Sequence, residues 1–182
     1  TMSNYDLTNS SKECVKRALE AAKNAGQALC EPVHVAWALL ESDYGNRLTG
    51  RAEVAQDKML RDVKNLAKKS PAQDPPPLSS SLSSASQRLL ERAQTSAKKR
   101  GDSFIAQDHL FLALYSEGEL AQVFKRNGLD LNTATKIATA LRGGKKVESD
   151  SAEENFDALE KYGVDMIKLA AEGKIDPVIG RD

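Results

Sequence analysis

Apolar residues recur at intervals of three and four along most of the chain, which is the spacing of side chains on one face of an α-helix. Within residues 10–25, one apolar stripe consists of Cys14, Val15, Ala18, Leu19, Ala22 and Ala25. The strict alternation of apolar and polar residues that is typical of a half-buried strand is almost absent. The pattern therefore predicts an all-α fold.

The helical spacing is continuous in eight segments, which fall into two groups. The first group covers residues 10–25, a helix after Pro32, and residues 48–55 and 57–69; the second covers 84–100, 107–115, 119–126 and 130–142. Between the groups, residues 70–80 contain four prolines, and these interrupt the spacing because proline lacks a backbone donor and consecutive prolines favour an extended chain. We predict four helices, a linker and four more helices.

The second group of helices repeats the first. When the second half is moved over the first by 75 residues, the separation of His34 and His109, the apolar positions coincide. The coinciding pairs include Val15 with Leu90, Ala18 with Ala93, Ala22 with Ala97 and Leu39 with Leu114. We therefore predict a tandem duplication of a four-helix unit about a pseudo-twofold axis. Such packing leaves a seam between the halves, which is a candidate groove.

The duplication also predicts the domain boundaries. We expect one domain over residues 4–144, with repeat one at 7–69, the linker at 70–80 and repeat two at 81–144. An extended C-terminal linker follows at 145–182, and its first residues, 145–154, are polar and acidic and are expected to be mobile.

Charge and composition exclude several classes of partner. The 26 basic and 26 acidic residues balance, so we expect neither nucleic acid nor an anionic membrane as a partner. Apolar runs fall short of the roughly 18 to 20 residues that span a bilayer, and the first residues lack a secretion signal, which predicts a soluble intracellular protein. Cys14 and Cys30 match no metal-binding or redox spacing and are expected to be free thiols.

The motifs of common catalytic sites are missing from the sequence. The segment Gly-Gly-Lys-Lys at residues 143–146 lacks the leading glycine and the hydroxyl residue of a phosphate-binding loop. His34 and His109 begin the central helix of each half, and their equivalence favours a shared structural role, such as capping or interhelical hydrogen bonding, over catalysis. We expect no catalytic residue, no metal site and no cofactor in this chain.

Three stretches resemble the amino-terminal domain of the ClpB branch of the hundred-kilodalton heat-shock proteins. They are Leu-Thr-Asn at 7–9, Glu-Pro-Val-His-Val-Ala-Trp-Ala-Leu-Leu at 31–40 and Gly-Asp-Ser-Phe-Ile-Ala-Gln-Asp-His-Leu at 101–110. Residues 158–182 are similar to the segment that joins this domain to the first AAA+ module. The resemblance implies a domain that captures unfolded or aggregated polypeptide for threading by a hexameric, ATP-driven ring.

The same resemblance implies particular site residues. Those for substrate binding are Leu7, Thr8, Leu90, Arg92, Asp102, Phe104, Ile105, Asp108 and His109. Arg92 and His109 stand where bacterial members often have leucine, which implies a more polar groove. Because Leu7, Phe104 and Ile105 lie in connecting segments, we also expect them to be exposed, although the alternative that Phe104 and Ile105 fill the space between adjacent helices stays open. The family's nucleotide-contacting residues match Val178, Ile179 and Gly180, so ATP and magnesium are implied for the full-length parent only.

The implied partners are unfolded or aggregated polypeptides, the protein's own AAA+ ring as a hexamer, and co-chaperones, in the cytoplasm and also the nucleus. Two other classes of function stay open. An adaptor-docking domain would bind one folded partner tightly, and a regulatory cap would act on the ATPase ring. Measurable ATP turnover by this chain would contradict the prediction that it is not an enzyme.

Overall fold

The computed structural model describes residues 5–154, and its helices form two equivalent groups of four. Repeat one contains α1 (Asn9–Asn24), α2 (Pro32–Glu41), α3 (Asp43–Ala52) and α4 (Gln56–Ala67). Repeat two contains α5 (Ser84–Lys99), α6 (Gln107–Ala113), α7 (Gly118–Arg126) and α8 (Leu131–Arg142), with a 3-10 turn at Leu114–Ser116 after α6. The predicted helical fold and its duplication are confirmed.

Helix starts are determined by side chains that accept the free N–H groups of the first turn. Thr8 caps α1, since its hydroxyl oxygen accepts the Ser11 N–H at 3.1 Å, and Ser83 caps α5 through the Ser86 N–H at the same distance. Ser42 caps α3, which begins at Asp43, five residues before the predicted start at Leu48. The prediction missed this turn because Gly45 lies in it, and glycine disfavours helix in isolation.

Short parallel pairings cross the seam between the repeats, and the all-α prediction did not include them. Strand β1 (Leu29–Cys30) pairs with β2 (Ser81–Leu82), and an isolated bridge joins Leu7 to Ile105. We call the pairing of Leu82 with Cys30 the first crossing and that of Leu7 with Ile105 the second crossing. The two crossings are related by the 75-residue offset of the repeats. Each repeat therefore sends its leading segment onto the other, as a pseudo-twofold arrangement requires.

One hydrophobic core spans both repeats. Helix α3 packs on α8, α4 on α7, and α2 on both α5 and α6. The largest fully buried side chains include Leu39, Leu40, Leu48, Met59, Leu89, Leu110, Phe111, Leu114 and Phe124. Because neither repeat closes its apolar face alone, the two repeats stabilise each other.

Residues 145–154, which we call the strap, fold back over repeat two. The Ser103 N–H donates to the Val147 carbonyl at 2.8 Å, and the Asn9 N–H donates to the Asp150 carbonyl at 2.7 Å. Val147 and Ala152 are buried in a small cluster with Ala106. This segment was expected to be mobile, but in the structure its few apolar side chains and its backbone have specific partners on the domain.

The state of the two cysteines and the length of the helices both bear on function. Cys14 and Cys30 are free and buried, as predicted, and burial raises the pKa of Cys14 to about 11 and that of Cys30 to about 12. Both thiols are therefore unreactive at neutral pH. Within residues 5–154, no helix is both long and apolar enough to cross a bilayer.

Candidate functional site

A neutral hydrogen-bond network lies beside the first crossing. His34 Nδ1 accepts the Glu31 N–H at 2.9 Å, so the ring hydrogen lies on Nε2, which donates to Gln27 Oε1 at 2.6 Å. The Gln27 amide in turn donates to the carbonyls of Ala67 and Ser70 at 3.0 and 3.1 Å. This network caps α2 and joins it to the end of α4 without a buried charge.

At the second crossing, the histidine makes the equivalent contacts, but a charged residue stands in place of the glutamine. His109 Nδ1 accepts the Ala106 N–H at 2.8 Å, and Nε2 lies 2.8 Å from Asp102 Oδ2. Asp102 is the repeat equivalent of Gln27. The prediction that the two histidines share a capping and hydrogen-bonding role is confirmed by these contacts.

Arg142 at the end of α8 makes the second crossing an ionic cluster. Its Nη1 donates to both Asp102 oxygens at 3.0 Å, and its Nη2 donates to Asp108 Oδ1 at 3.0 Å. The exposed fractions of the three side chains are 7% for Arg142, 0% for Asp102 and 5% for Asp108. The sequence analysis missed Arg142, because an arginine in the last turn of a helix is common for its effect on the helix dipole alone.

The protonation states of this cluster follow from its geometry. Burial opposes ionisation of Asp102, but the Val147 N–H and the Arg142 guanidinium outweigh it and lower the pKa of the carboxyl. Burial alone would lower the pKa of Arg142, and the Asp108 and Asp102 carboxylates raise it instead. The pKa of His109 is lowered, first by burial and also by Arg142, which agrees with a neutral ring whose Nδ1 is an acceptor.

The strap adds a third carboxylate to the second crossing. Glu153 is buried, its Oε2 accepts the Gln107 N–H at 2.8 Å, and its Oε1 accepts the Thr8 hydroxyl. Beside it, Asn9 Nδ2 donates to Glu154 Oε2 at 3.2 Å. The sequence offered no signal for Glu153, since acidic residues in a polar segment are normally solvated.

A small polar cavity of about 20 Å³ lies between α3, α6, α8 and the strap. It is lined by Tyr44, Arg47, Asp108, Arg142 and Glu153, among others. Burial raises the pKa of Tyr44, as do the Asp108 and Glu153 carboxylates. The hydroxyl therefore stays protonated near this cluster, which the sequence analysis also missed.

The structure brings part of the predicted substrate-binding set together at the second crossing. Leu7 and Ile105 are buried, so the expectation that they are exposed is wrong. The reason is the β-bridge between them. The Thr8 N–H and the Ile105 N–H each donate to a backbone carbonyl on the other side of the seam, at 3.1 and 2.7 Å respectively. Phe104 is half-buried and packs against the cluster of Ala106, Val147 and Ala152.

The remaining predicted residues are distributed as follows. Thr8, Asp102, Asp108 and His109 are buried in the second crossing. On α5, Leu90 is buried in the main core, whereas Arg92 is half-buried and its Nη2 donates to Glu117 Oε2 at 3.1 Å. Their roles in substrate binding stay predictions. Val178, Ile179 and Gly180 lie outside the described residues.

An open cleft of about 400 Å³, the seam cleft, lies beside the second crossing. It is lined by residues of α1, of the α2–α3 junction, of α6 and of the strap: Asn9, Ser10, Glu13, Cys14, Arg17, Glu41, Ser42, Asp43, Tyr44, Gln107 and Glu154. Its rim is acidic, and Arg17 pairs with Glu13 at 3.0 Å. Across residues 5–154, no histidine, cysteine and carboxylate groups cluster as metal ligands would.

Acidification from pH 7.5 to 5 is expected to weaken the fold through both histidines. A proton on Nδ1 of either histidine would abolish the hydrogen bond that this atom accepts, from the Glu31 N–H at His34 and from the Ala106 N–H at His109. Burial lowers the folded-state pKa of His34 and His109 below the roughly 6.5 of an unfolded chain. The unfolded state then binds more protons, so stability is full above about pH 6.5 and is lost as pH falls toward the folded pKa values. Urea unfolding at several pH values measures the loss.

A variant with both His34→Asn and His109→Asn is the control for this effect. The amide oxygen can replace Nδ1 as an acceptor but does not titrate. We expect lower stability at pH 7.5 and a flatter pH dependence between 7 and 5.5. An unchanged slope would assign the loss to the carboxylates instead.

Comparison with known proteins agrees with this architecture. The family model described as the Clp repeat (R) N-terminal domain matches residues 6–127. Heat shock protein 104 of Schizosaccharomyces pombe is 34% identical over 100% of this chain and 21% of its own length. Chaperone protein ClpB of Bdellovibrio bacteriovorus is 32% identical over 97% of this chain and 21% of its own length.

Among solved structures, the Hsp104 N-terminal domain from Candida albicans superposes with a TM-score of 0.74 and 29% identity. The match covers 81% of this chain and 98% of that one. The chain spans about a fifth of the length of the curated relatives. It therefore belongs to the Clp repeat (R) N-terminal domain family and is similar to heat shock protein 104 and ClpB chaperones.

Proposed function

We propose that this domain captures exposed segments of unfolded or aggregated polypeptides and passes them to a hexameric AAA+ ring, with co-chaperones, in the cytoplasm and nucleus. ATP and magnesium serve that ring and not this domain. The observation that carries the proposal is the strap, since the second crossing already binds a segment of polypeptide that lacks regular secondary structure at residues 145–148.

The first residues of the strap are bound through their backbone. Val147 donates its N–H to Asp102 Oδ1 at 3.0 Å and accepts the Ser103 N–H, and Arg142 donates to the Lys145 carbonyl at 3.1 Å. Recognition of backbone groups does not depend on side-chain identity. This mode suits clients whose sequences differ at most positions.

Comparison of the two crossings also supports a role beyond folding. At the first crossing, Gln27 and His34 cap α2 and join it to the end of α4 with neutral groups alone. The charged residues Asp102, Asp108 and Arg142 are therefore not needed for that structural task. Buried ion pairs often add little net stability, so their presence favours a functional explanation.

Affinity at this surface should be low. Each buried aliphatic side chain of a client contributes about 1.5 to 3 kcal/mol, and association loses rotational and translational freedom of similar total size. Weak binding allows release into the ring.

An NMR titration with a carboxymethylated, permanently unfolded protein tests the proposal. We expect shifts to cluster around Ser103, Phe104 and Val147, and Phe104→Glu to weaken binding about tenfold, which corresponds to about 1.4 kcal/mol. Leu131→Glu is the matched control, because Leu131 is 48% exposed on α8, away from both crossings. Shifts confined to another surface, or normal binding by the Phe104 variant, would contradict the proposal.

Adaptor docking is the second candidate, and the seam cleft favours it. A concave surface of about 400 Å³ with an acidic rim suits a basic element of one folded partner. In that case a folded partner would bind tightly, with shifts at Glu13 and Glu41 that Phe104→Glu does not alter.

A further inference from the structure

The strap covers the proposed client surface with two buried anchors. Its apolar anchor is Val147, which is fully buried against the Phe104 and Ala106 side of repeat two. Its polar anchor is Glu153, whose carboxylate accepts the Gln107 N–H and the Thr8 hydroxyl. Between the anchors, Asp150 offers only its carbonyl to the Asn9 N–H.

The strap does not belong to the main core. Val147, Ala152 and Ala106 form a cluster separate from the one that joins α1 to α8. The other side chains of residues 145–150 are exposed. Segments with few buried apolar contacts open at lower free energy than the core, so the strap can leave while the helices stay folded.

The contacts beneath the strap define what could replace it. The Ser103 N–H and Asp102 Oδ1 bind the backbone of one residue, whatever its side chain. Phe104 and Ala106 pack in one cluster with the valine side chain of the strap. Thr8 and Gln107 bind a carboxylate together, six positions further along the chain.

We propose that the strap is a built-in, displaceable ligand, and that clients compete for its place with segments that carry a small apolar residue and a carboxylate about six residues later. The inference rests on the proposed client-binding function and names the client class. It also explains why the predicted binding residues Thr8, Asp102 and Phe104 are covered in the free domain: the strap occupies their surface until a client displaces it.

Substitutions in the strap test the idea in the full chain, because they weaken the occupant and leave the surface beneath it intact. We expect Val147→Ser and Glu153→Gln each to raise the affinity for the carboxymethylated protein about three- to tenfold, measured by fluorescence anisotropy. Glu148→Gln is the matched control, since Glu148 is an exposed acidic residue of the same strap. It should leave the affinity unchanged.

Hydrogen exchange at the Ser103 amide reports independently on the strap, because this amide donates to the Val147 carbonyl. It should exchange faster in both variants and in wild type with client, while amides of α2 stay protected. Faster exchange without a gain in affinity would show that the strap is not a competitor and would overturn the inference.

A synthetic peptide of residues 145–154 provides a second measurement, which compares two peptides on one and the same chain. Added to the Val147→Ser chain, it should displace the unfolded client, whereas the same peptide with serine for valine and glutamine for Glu153 should not. Equal competition by both peptides, or none by either, would refute the proposed client class. A different outcome is that no chain binds the unfolded protein although the Ser103 amide exchanges faster as expected. That result would contradict the client-binding function, and the inference, which rests on it, would also be refuted.

Discussion

Arg142→Met is expected to lower the free energy of unfolding by about 3 to 5 kcal/mol, because it removes the guanidinium that pairs with two buried carboxylates. Arg142 bonds to Asp102 at 3.0 Å and to Asp108 at 2.8 Å. Methionine fills similar space but cannot replace the guanidinium. Urea unfolding at pH 7.5 measures the loss.

Two controls make this result specific to the buried charges. Arg61→Met, at an exposed position of α4, should change stability by no more than about 0.5 kcal/mol. Combining Arg142→Met with Asp102→Asn and Asp108→Asn should restore much of the loss, since the first crossing is stable with neutral groups. A loss below about 1 kcal/mol in the single variant would mean that the carboxylates are solvated.

Gly45→Ala is expected to destabilise the domain by about 3 kcal/mol or more, because α3 meets the end of α2 too closely for a side chain. A Cβ atom at Gly45 would lie 2.2 Å from the Leu39 carbonyl oxygen and 2.7 Å from Leu40 Cα. Both are backbone atoms, which cannot rotate away. Thermal unfolding of the variant measures the effect.

Gly50→Ala in the same helix is the matched control. A Cβ atom there meets nothing within 4 Å, so the substitution should stabilise the domain by about 0.5 to 1 kcal/mol through lower backbone entropy in the unfolded chain. Effects of the same sign at both glycines would exclude close packing as the cause at Gly45.

The difference between the two glycines also explains which feature of the fold could not be predicted from the sequence. Periodicity located all eight helices because it depends on neighbours three and four residues apart. It placed the start of α3 too late because Gly45 resembles a helix breaker. Instead, close contact with α2 requires glycine at this position. A contact of this kind cannot be predicted from a local sequence pattern.

The candidate site shows the same limit. Equivalent histidines and their capping role were predictable, since each Nδ1 accepts its hydrogen bond from an N–H only three residues away. The burial of Leu7 and Ile105 was not, because each is buried by the other across the seam. Glu153 meets Thr8 over a separation of 145 residues, so its role could only emerge from the fold.

By itself, the sequence of this protein determined the helical class, the duplication and the resemblance to the Clp N-terminal family, because all three are properties of spacing and motif within a repeat. Only the tertiary structure decided that the second crossing is charged and covered by the strap. The physical reason is that the pseudo-twofold packing brings the leading segment of repeat one, the end of α8 and the strap to one place. In that buried place, charged groups are stable when they are paired, and backbone groups are stable when they are hydrogen-bonded.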